Sequence, residues 1–392
     1  MDKGESFRSL GFYVPPLLIS IRMLIVKQWA FDYKNEIFML LIAFCFSAII
    51  SSLFAENMID SFGFFKSSYL KVFLLFVVIS SVFSEHDKLT RLILLLAVLS
   101  VFFSIVTFYD FATKAFVTGG GIDYAGSVRK YSVPLEYLLP FVPCAFVISK
   151  KTAGKILWAL ALSLGIIAIL LTGARGAWVS LLFSLIIWLA YYYLNIGRLK
   201  DIVVFVGGIM LLTVVAMQII PASYIHKQVQ KKFYSASRFG MTWRAAIDNY
   251  MESGVDKKII GKGLDKKIMY DDFDKWLEKN RDSVRFRKIA KNPHNFYLFV
   301  LYKQGLIGLS VYISLIAVVI LKLNSQIRIG KTFTMRSAGI AVISSLVGAY
   351  VVRGMVEDLQ FVPLGFLLGL AGAYLNMAKK TDESINNNLS CS

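Results

Sequence analysis

Residues 90–108 read TRLILLLAVLSVFFSIVTF, nineteen residues with one charge, Arg91, near the edge. As a helix rising ~1.5 Å per residue, such a run crosses the ~30 Å hydrocarbon core of a bilayer. Runs of the same kind recur at 37–54, 66–83, 131–149, 155–172, 177–194 and 201–220. After a polar stretch come three more, at 296–321, 335–352 and 360–377. A weaker candidate, Leu10 to Val26, contains Pro15-Pro16 and Arg22. Lipid offers no hydrogen-bond partners to open sheet edges, so all of these must be helices. The expectation is an all-α polytopic membrane protein of about 11–12 transmembrane helices with one large helical outer loop.

Composition agrees. Of 392 residues 57% are hydrophobic and 17% charged, against ~25% charged in a soluble domain, and mean hydropathy is +0.63. This excludes a soluble enzyme, a disordered chain and a repeat solenoid. Cys45, Cys144 and Cys391 allow no disulfide framework and no CxxC pattern. Three histidines, His86, His226 and His294, do not suit a multi-histidine metal site or haem. The net charge of +18 is read as positive-inside bias and attraction to anionic membrane lipids, with no nucleic-acid partner. No small-residue cleavage site follows a short apolar region at the start, so no cleaved signal peptide is expected.

Short basic loops orient the chain. Lys150, Lys151 and Lys155, the turn Arg198 to Lys200, Lys322 through Arg336, and Lys379-Lys380 all fall on one side by alternation. That side is assigned to the cytoplasm. Four segments follow: helices over 1–220, an outer cap over 221–294, three helices over 295–378 and a cytoplasmic tail over 379–392. The cap carries seventeen Lys/Arg against nine Asp/Glu, a net of +8. Within it Trp243 to Met251 and Asp271 to Arg287 read as helices, with Ile259-Ile260-Gly261-Lys262-Gly263 as a break. The basic excess is either a solvated face near head groups or a docking surface for phosphorylated substrates.

Ionisable residues at membrane boundaries are the candidates for chemistry. Arg175 lies in Leu171-Thr172-Gly173-Ala174-Arg175-Gly176-Ala177-Trp178. Small neighbours let helix ends approach, and its guanidinium is a planar fork suited to phosphate; the alternative is an arginine snorkelling to the interface. His294 lies in Asn292-Pro293-His294-Asn295-Phe296-Tyr297, where the cap re-enters the membrane. Pro293 and Asn295 suit a helix start, and a neutral histidine accepts a proton near pH 7. Arg238 and Arg244, six residues apart, would lie about 120° apart on one regular helix, so they share a phosphate only if Gly240 breaks it. Arg244 can instead pair with Asp248 at i+4. Arg129 and Glu136 flank the fifth run, either as cavity lining or as a structural ion pair. Arg353, Glu357 and Asp358 stand similarly at the outer end of the last hairpin, and Asn295 and Tyr297 complete the candidate lining. Asp271-Asp272-Phe273-Asp274 reads as a solvated helix face, and no metal site is expected.

Three segments occur in the order characteristic of one superfamily: Thr172–Trp178, Arg238–Trp243, and Pro293-His294-Asn295-Phe296-Tyr297 with Gly305-Leu306-Ile307-Gly308-Leu309. With the long polar loop before the His-Asn motif, the chain resembles the O-antigen ligase and polymerase superfamily over about residues 37–377. It departs from that pattern at Lys303, where members often carry an acidic residue, and in Arg238–Trp243, which is one residue longer than the commonest spacing. The resemblance implies a metal-independent, cofactor-free glycosyltransferase of the bacterial inner membrane with its site facing the periplasm. A ligase of this kind moves glycan from undecaprenyl diphosphate to a hydroxyl of lipid A–core oligosaccharide. On that reading Arg175 and one of Arg238 or Arg244 hold the diphosphate, His294 is the general base, and the anomeric carbon inverts. An O-antigen polymerase or another lipid-linked-oligosaccharide transferase is the enzymatic alternative, and a lipid-linked sugar transporter the non-enzymatic one.

Overall fold

A computed structural model describes residues 35–113, 128–197, 241–280, 293–330, 332–357 and 360–390, with the single positions 203 and 207. In chain order its principal helices are α1 (Glu36–Leu53), α2 (Met58–Ser67), α3 (Tyr69–Val82), α4 (His86–Ala112), α5 (Ser132–Leu138), α6 (Phe141–Ile148), α7 (Thr152–Leu171), α8 (Arg175–Ile196), α9 (241–251), α10 (Val255–Ile260), α11 (Lys266–Lys279), α12 (Phe296–Ile329), α13 (Phe333–Leu346) and α14 (Phe361–Ser390). Among the described residues eight helical stretches are long and apolar enough to cross a membrane, and a ninth is the bent pair Arg129–Leu138 and Phe141–Ile148. These nine correspond to nine of the runs read from the sequence. The other two, 10–26 and 201–220, lie outside the described residues. The chain is an all-α polytopic membrane protein.

Polar residues punctuate the apolar runs where helices start. The Asn35 side chain accepts from Ile37 N at 2.9 Å, Asn57 from Asp60 N at 3.2 Å and Thr332 from Met335 N at 3.2 Å, each satisfying one of the orphan donors of a helix N-terminus. Gly197 closes α8 in the left-handed conformation, φ 70°.

The chain divides into two compact units. The first comprises 1–84, 234–322 and 354–376. Lipid supplies no hydrophobic drive between helices, so close packing and buried polar groups must hold it. Its centre is aromatic: Tyr69 lies 4.6 Å from Phe361 and 5.2 Å from Phe44, centroid to centroid, and Phe296 lies 5.2 Å from Tyr312. Gly365 brings α14 against the backbone of Val72 on α3, where a Cβ has no room.

The kink in α12 ties the cap to this unit. Gly305 has φ 65° and ψ −165°, a glycine-only conformation that interrupts the helix ladder. The carbonyls of Tyr302 and Lys303 thereby become available. Lys262 N takes the first at 3.1 Å and Gly263 N the second at 3.2 Å, and Ser51 Oγ on α1 also donates to the Lys303 carbonyl. Gly261 and Gly263 have φ 95° and 96°, and a Cβ at Gly261 would strike the Lys303 backbone.

The second unit comprises 85–233, 323–353 and 377–392. Here α4 packs on α6 and α7, while α8 packs on α13 and the π-type turn Val347–Val352 that extends it. Gly348 in that turn sits against Ser180 and Ser184 of α8. Arg336 donates to the carbonyls of Gly330 and Asn195, both at 2.7 Å, tying the start of α13 to the end of α8.

Candidate functional site

In the second unit, Arg175 is placed by the turn between α7 and α8. Thr172 donates its hydroxyl back to the Ile169 carbonyl at 2.6 Å and accepts from Ala174 N at 3.3 Å. Gly173 takes φ 64°. Trp178 Nε1 reaches over the turn to the same Ile169 carbonyl at 2.8 Å. These bonds fix Arg175 as the first residue of α8, partly buried, with the positive end of the helix dipole behind it. The Arg129 guanidinium, itself exposed, is near enough to act on it electrostatically. Neighbouring cations repel, and an anion bound between them relieves that repulsion.

Glu136 does something different. It is 1% exposed, accepts from Ser180 Oγ at 2.9 Å and forms an ion pair with Arg353, which is 6% exposed. Its ion-pair partner among the described residues is thus Arg353. The sequence offered Glu136 with Arg129, as cavity lining or as an ion pair; the pair found among the described residues is Glu136 with Arg353.

In the first unit the His294 segment is clamped from two sides. Thr242 Oγ1 of α9 donates to the Pro293 carbonyl at 3.4 Å. Asn295 caps α12 by accepting from Leu298 N at 3.0 Å, and its amide donates to the Met355 carbonyl at 3.0 Å. Between them His294 has φ 47°, the one described non-glycine residue with positive φ, and it is half-buried. A left-handed residue costs roughly 1–2 kcal/mol, and the anchors on both neighbours hold the backbone in that conformation. Tyr297, one turn on, packs edge-on to Tyr312 at 5.9 Å.

Arg244 follows Thr242 by two residues, a spacing that puts it on another side of α9. Its Nε lies 3.6 Å from Asp248 Oδ2, and its side chain is 76% exposed. Such a pair is worth only about 0.3–0.5 kcal/mol, so it leaves the guanidinium easily recruited. Arg238 lies outside the described residues, as do His226 and Asp358.

The acidic run at 271–274 is not uniformly solvated. Asp272 accepts from Lys262 Nζ at 2.6 Å and from the Tyr302 hydroxyl. Burial pushes its carboxyl up, but these two donors outweigh that and hold it below the usual carboxylate range. Lys303, fully buried, gives its ammonium to the Asp265 carbonyl, and Gln304 joins Ser47 and Tyr69. None of these roles was read from the sequence. The signal available was Gly305 directly after them, with Gly261 and Gly263 at the break in the cap.

Comparison with known proteins gives two likenesses. Residues 159–313, which include Arg175, Arg238, Arg244 and His294, match the family model described as O-antigen ligase. The chain is also 22% identical over 365 residues to the O-antigen ligase of Salmonella typhimurium (strain LT2), covering 88% of this chain and 84% of that protein.

Proposed function

From a chain similar to the O-antigen ligases, by the family match at residues 159–313 and the likeness to the Salmonella protein, we propose a lipopolysaccharide O-antigen ligase of the bacterial inner membrane. It transfers glycan from an undecaprenyl-diphosphate carrier to a hydroxyl of lipid A–core oligosaccharide, at a site facing the periplasm. The observation that carries this reading is that the matched stretch holds both an arginine fixed at a helix start and a histidine held in a left-handed conformation.

The residues suit the reaction. Arg175, with Arg129 beside it and one of Arg238 or Arg244, binds the diphosphate and offsets the charge that grows on it as the anomeric C–O bond breaks. His294 removes the proton of the acceptor hydroxyl as that oxygen attacks the anomeric carbon. Attack opposite the diphosphate inverts the configuration, and undecaprenyl diphosphate leaves. Neither a carboxylate pair of the glycosidase kind nor a metal enters this scheme.

The test is lipopolysaccharide banding in ligase-deficient hosts of more than one core type, carrying wild type, Arg175→Ala or His294→Ala. Wild type restores the long-chain ladder, and both variants leave bare core at wild-type expression. Purified wild type keeps full activity in excess chelator. A wild type that leaves lipid-linked polymer unligated in every host overturns the ligase reading, and active variants overturn the site.

A further inference from the structure

The cap of the first unit holds a cavity that the scheme above leaves unused. Helices α9, α10 and α11 enclose a cleft of about 420 Å3, lined among others by Asn249, Glu252, Asp256, Lys257, Lys275 and Trp276. Small-molecule sites run to ~300–1,000 Å3. Its floor is rigid. Lys262 and Asp272 are 13% and 18% exposed and paired at 2.6 Å, and Asn249 donates to the Asp272 carbonyl at 3.1 Å. Trp276 is buried and its Nε1 donates to Asp248 at 3.0 Å, which sets the plane of the indole. At the rim Glu252 and Lys279 meet at 2.7 Å. Asp256 and Lys275 are exposed and make no hydrogen bond or ion pair among the described residues.

The chemistry of this lining selects its ligand. A simple anion would face Glu252, Asp256 and Asp272, and an apolar molecule would strip water from the charges of both signs around it. A sugar hydroxyl donates and accepts at once, so it can bridge a carboxylate and an ammonium together. The small exposed part of Trp276, its plane set by the bond to Asp248, adds an apolar patch for the C–H groups of a pyranose ring. We propose that this cleft is a subsite for an uncharged pyranose unit of a glycan, recognised through Asp256 and Lys275 over the Lys262–Asp272 floor. The proposal rests on the reading that the protein handles glycans. Donor chain and acceptor core share this chemistry, and the experiment separates them.

Full-length protein in lipid nanodiscs is titrated, by saturation-transfer NMR, with two probes. One is the glycan released from its lipid carrier by mild acid; the other is deacylated, dephosphorylated core oligosaccharide. Ring-proton signals are expected for at least one probe, and whichever binds assigns the cleft to donor or acceptor. Asp256→Ala/Lys275→Ala is expected to cut the signal fivefold or more with an unchanged thermal transition. Ser253→Trp, which fills the cleft, is expected to reproduce the loss. Inorganic phosphate at equal concentration leaves the signal intact. The proposal is overturned by silence of both probes, by equal signals in wild type and the double variant, or by full displacement with phosphate. Binding is read without transfer, so a wild type that binds sugar but does not ligate overturns only the ligase reading. One that ligates with neither probe bound overturns only the cleft.

Discussion

Glu136 and Arg353 stand 217 residues apart in the chain and meet in the second unit, nearly inaccessible to solvent, with Ser180 on the second carboxylate oxygen. Taking one charge away leaves the other stranded, which costs about 3–5 kcal/mol in a buried pair. Glu136→Gln is therefore expected to lower the thermal transition of the detergent-solubilised protein by several degrees. Replacing both partners, Glu136→Leu with Arg353→Met, recovers most of that loss, because two well-packed apolar groups leave nothing unpaired. Thermal scanning of the three forms is the check. If the single variant is as stable as wild type and the double variant alone loses activity, the pair belongs to the substrate cavity instead. No reading of the sequence could have joined these two residues, because side-chain pairing across such a separation has no local pattern. His294-Asn295 was legible for the opposite reason: capping chemistry is local, and an asparagine before an apolar run announces where a helix begins. What stayed hidden there was the left-handed φ of His294 itself.

At the scale of elements, one broken helix organises the first unit. The interruption at Gly305 frees carbonyls that the cap loop then satisfies, and the glycine itself is pressed against Ile259 and Gly261. Gly305→Ala adds a Cβ both to a forbidden backbone region and to a filled space. Its expected cost is about 2–3 kcal/mol from the backbone alone, and the cap is expected to become sensitive to limited proteolysis between α10 and α11 before the spans unfold. Protection equal to wild type would sink this account of the kink. The same junction has a pH signature. Asp272 is held below its ordinary value by Lys262 and Tyr302, whereas an unfolded aspartate titrates near ~3.9. Its contribution is thus present in full above that value and is lost as pH falls through the lower folded one. Hydrogen exchange in α11 should accelerate as pH is lowered below about 4 relative to the intrinsic rate, and Asp272→Asn should abolish this dependence while raising exchange at neutral pH. The sequence read Asp271-Asp272-Phe273-Asp274 as a solvated helix face; it could not foresee that Tyr302, three residues before the break at Gly305, would turn one of them inward.

For the molecule as a whole, parity of crossings constrains what lies outside the described residues. The spans were legible because lipid dictates both their length and their apolarity, a constraint far stronger than helix propensity in water. Start from the basic loop at 149–151. Helices α7 and α8 go out and return, bringing Gly197 back to that side. From the other end, α12 runs from the His294 junction to the basic stretch beginning at Lys322, so the cap lies opposite that stretch. If the two basic loops share a side, as the positive-inside rule asks, an odd number of crossings must lie between 198 and 240. The apolar run at 201–220, outside the described residues, is the one the sequence offers for it, and we propose that it crosses. Cysteine labelling with a membrane-impermeant maleimide tests this in a background where Cys391 is replaced, Cys45 and Cys144 being buried. Lys257→Cys in the cap is expected to react in intact spheroplasts. Lys151→Cys and Arg328→Cys are expected to react only after the membrane is opened. Labelling of Lys257→Cys and Lys151→Cys from the same side would mean that 201–220 does not cross, and would move the cap, with His294, to the cytoplasmic face.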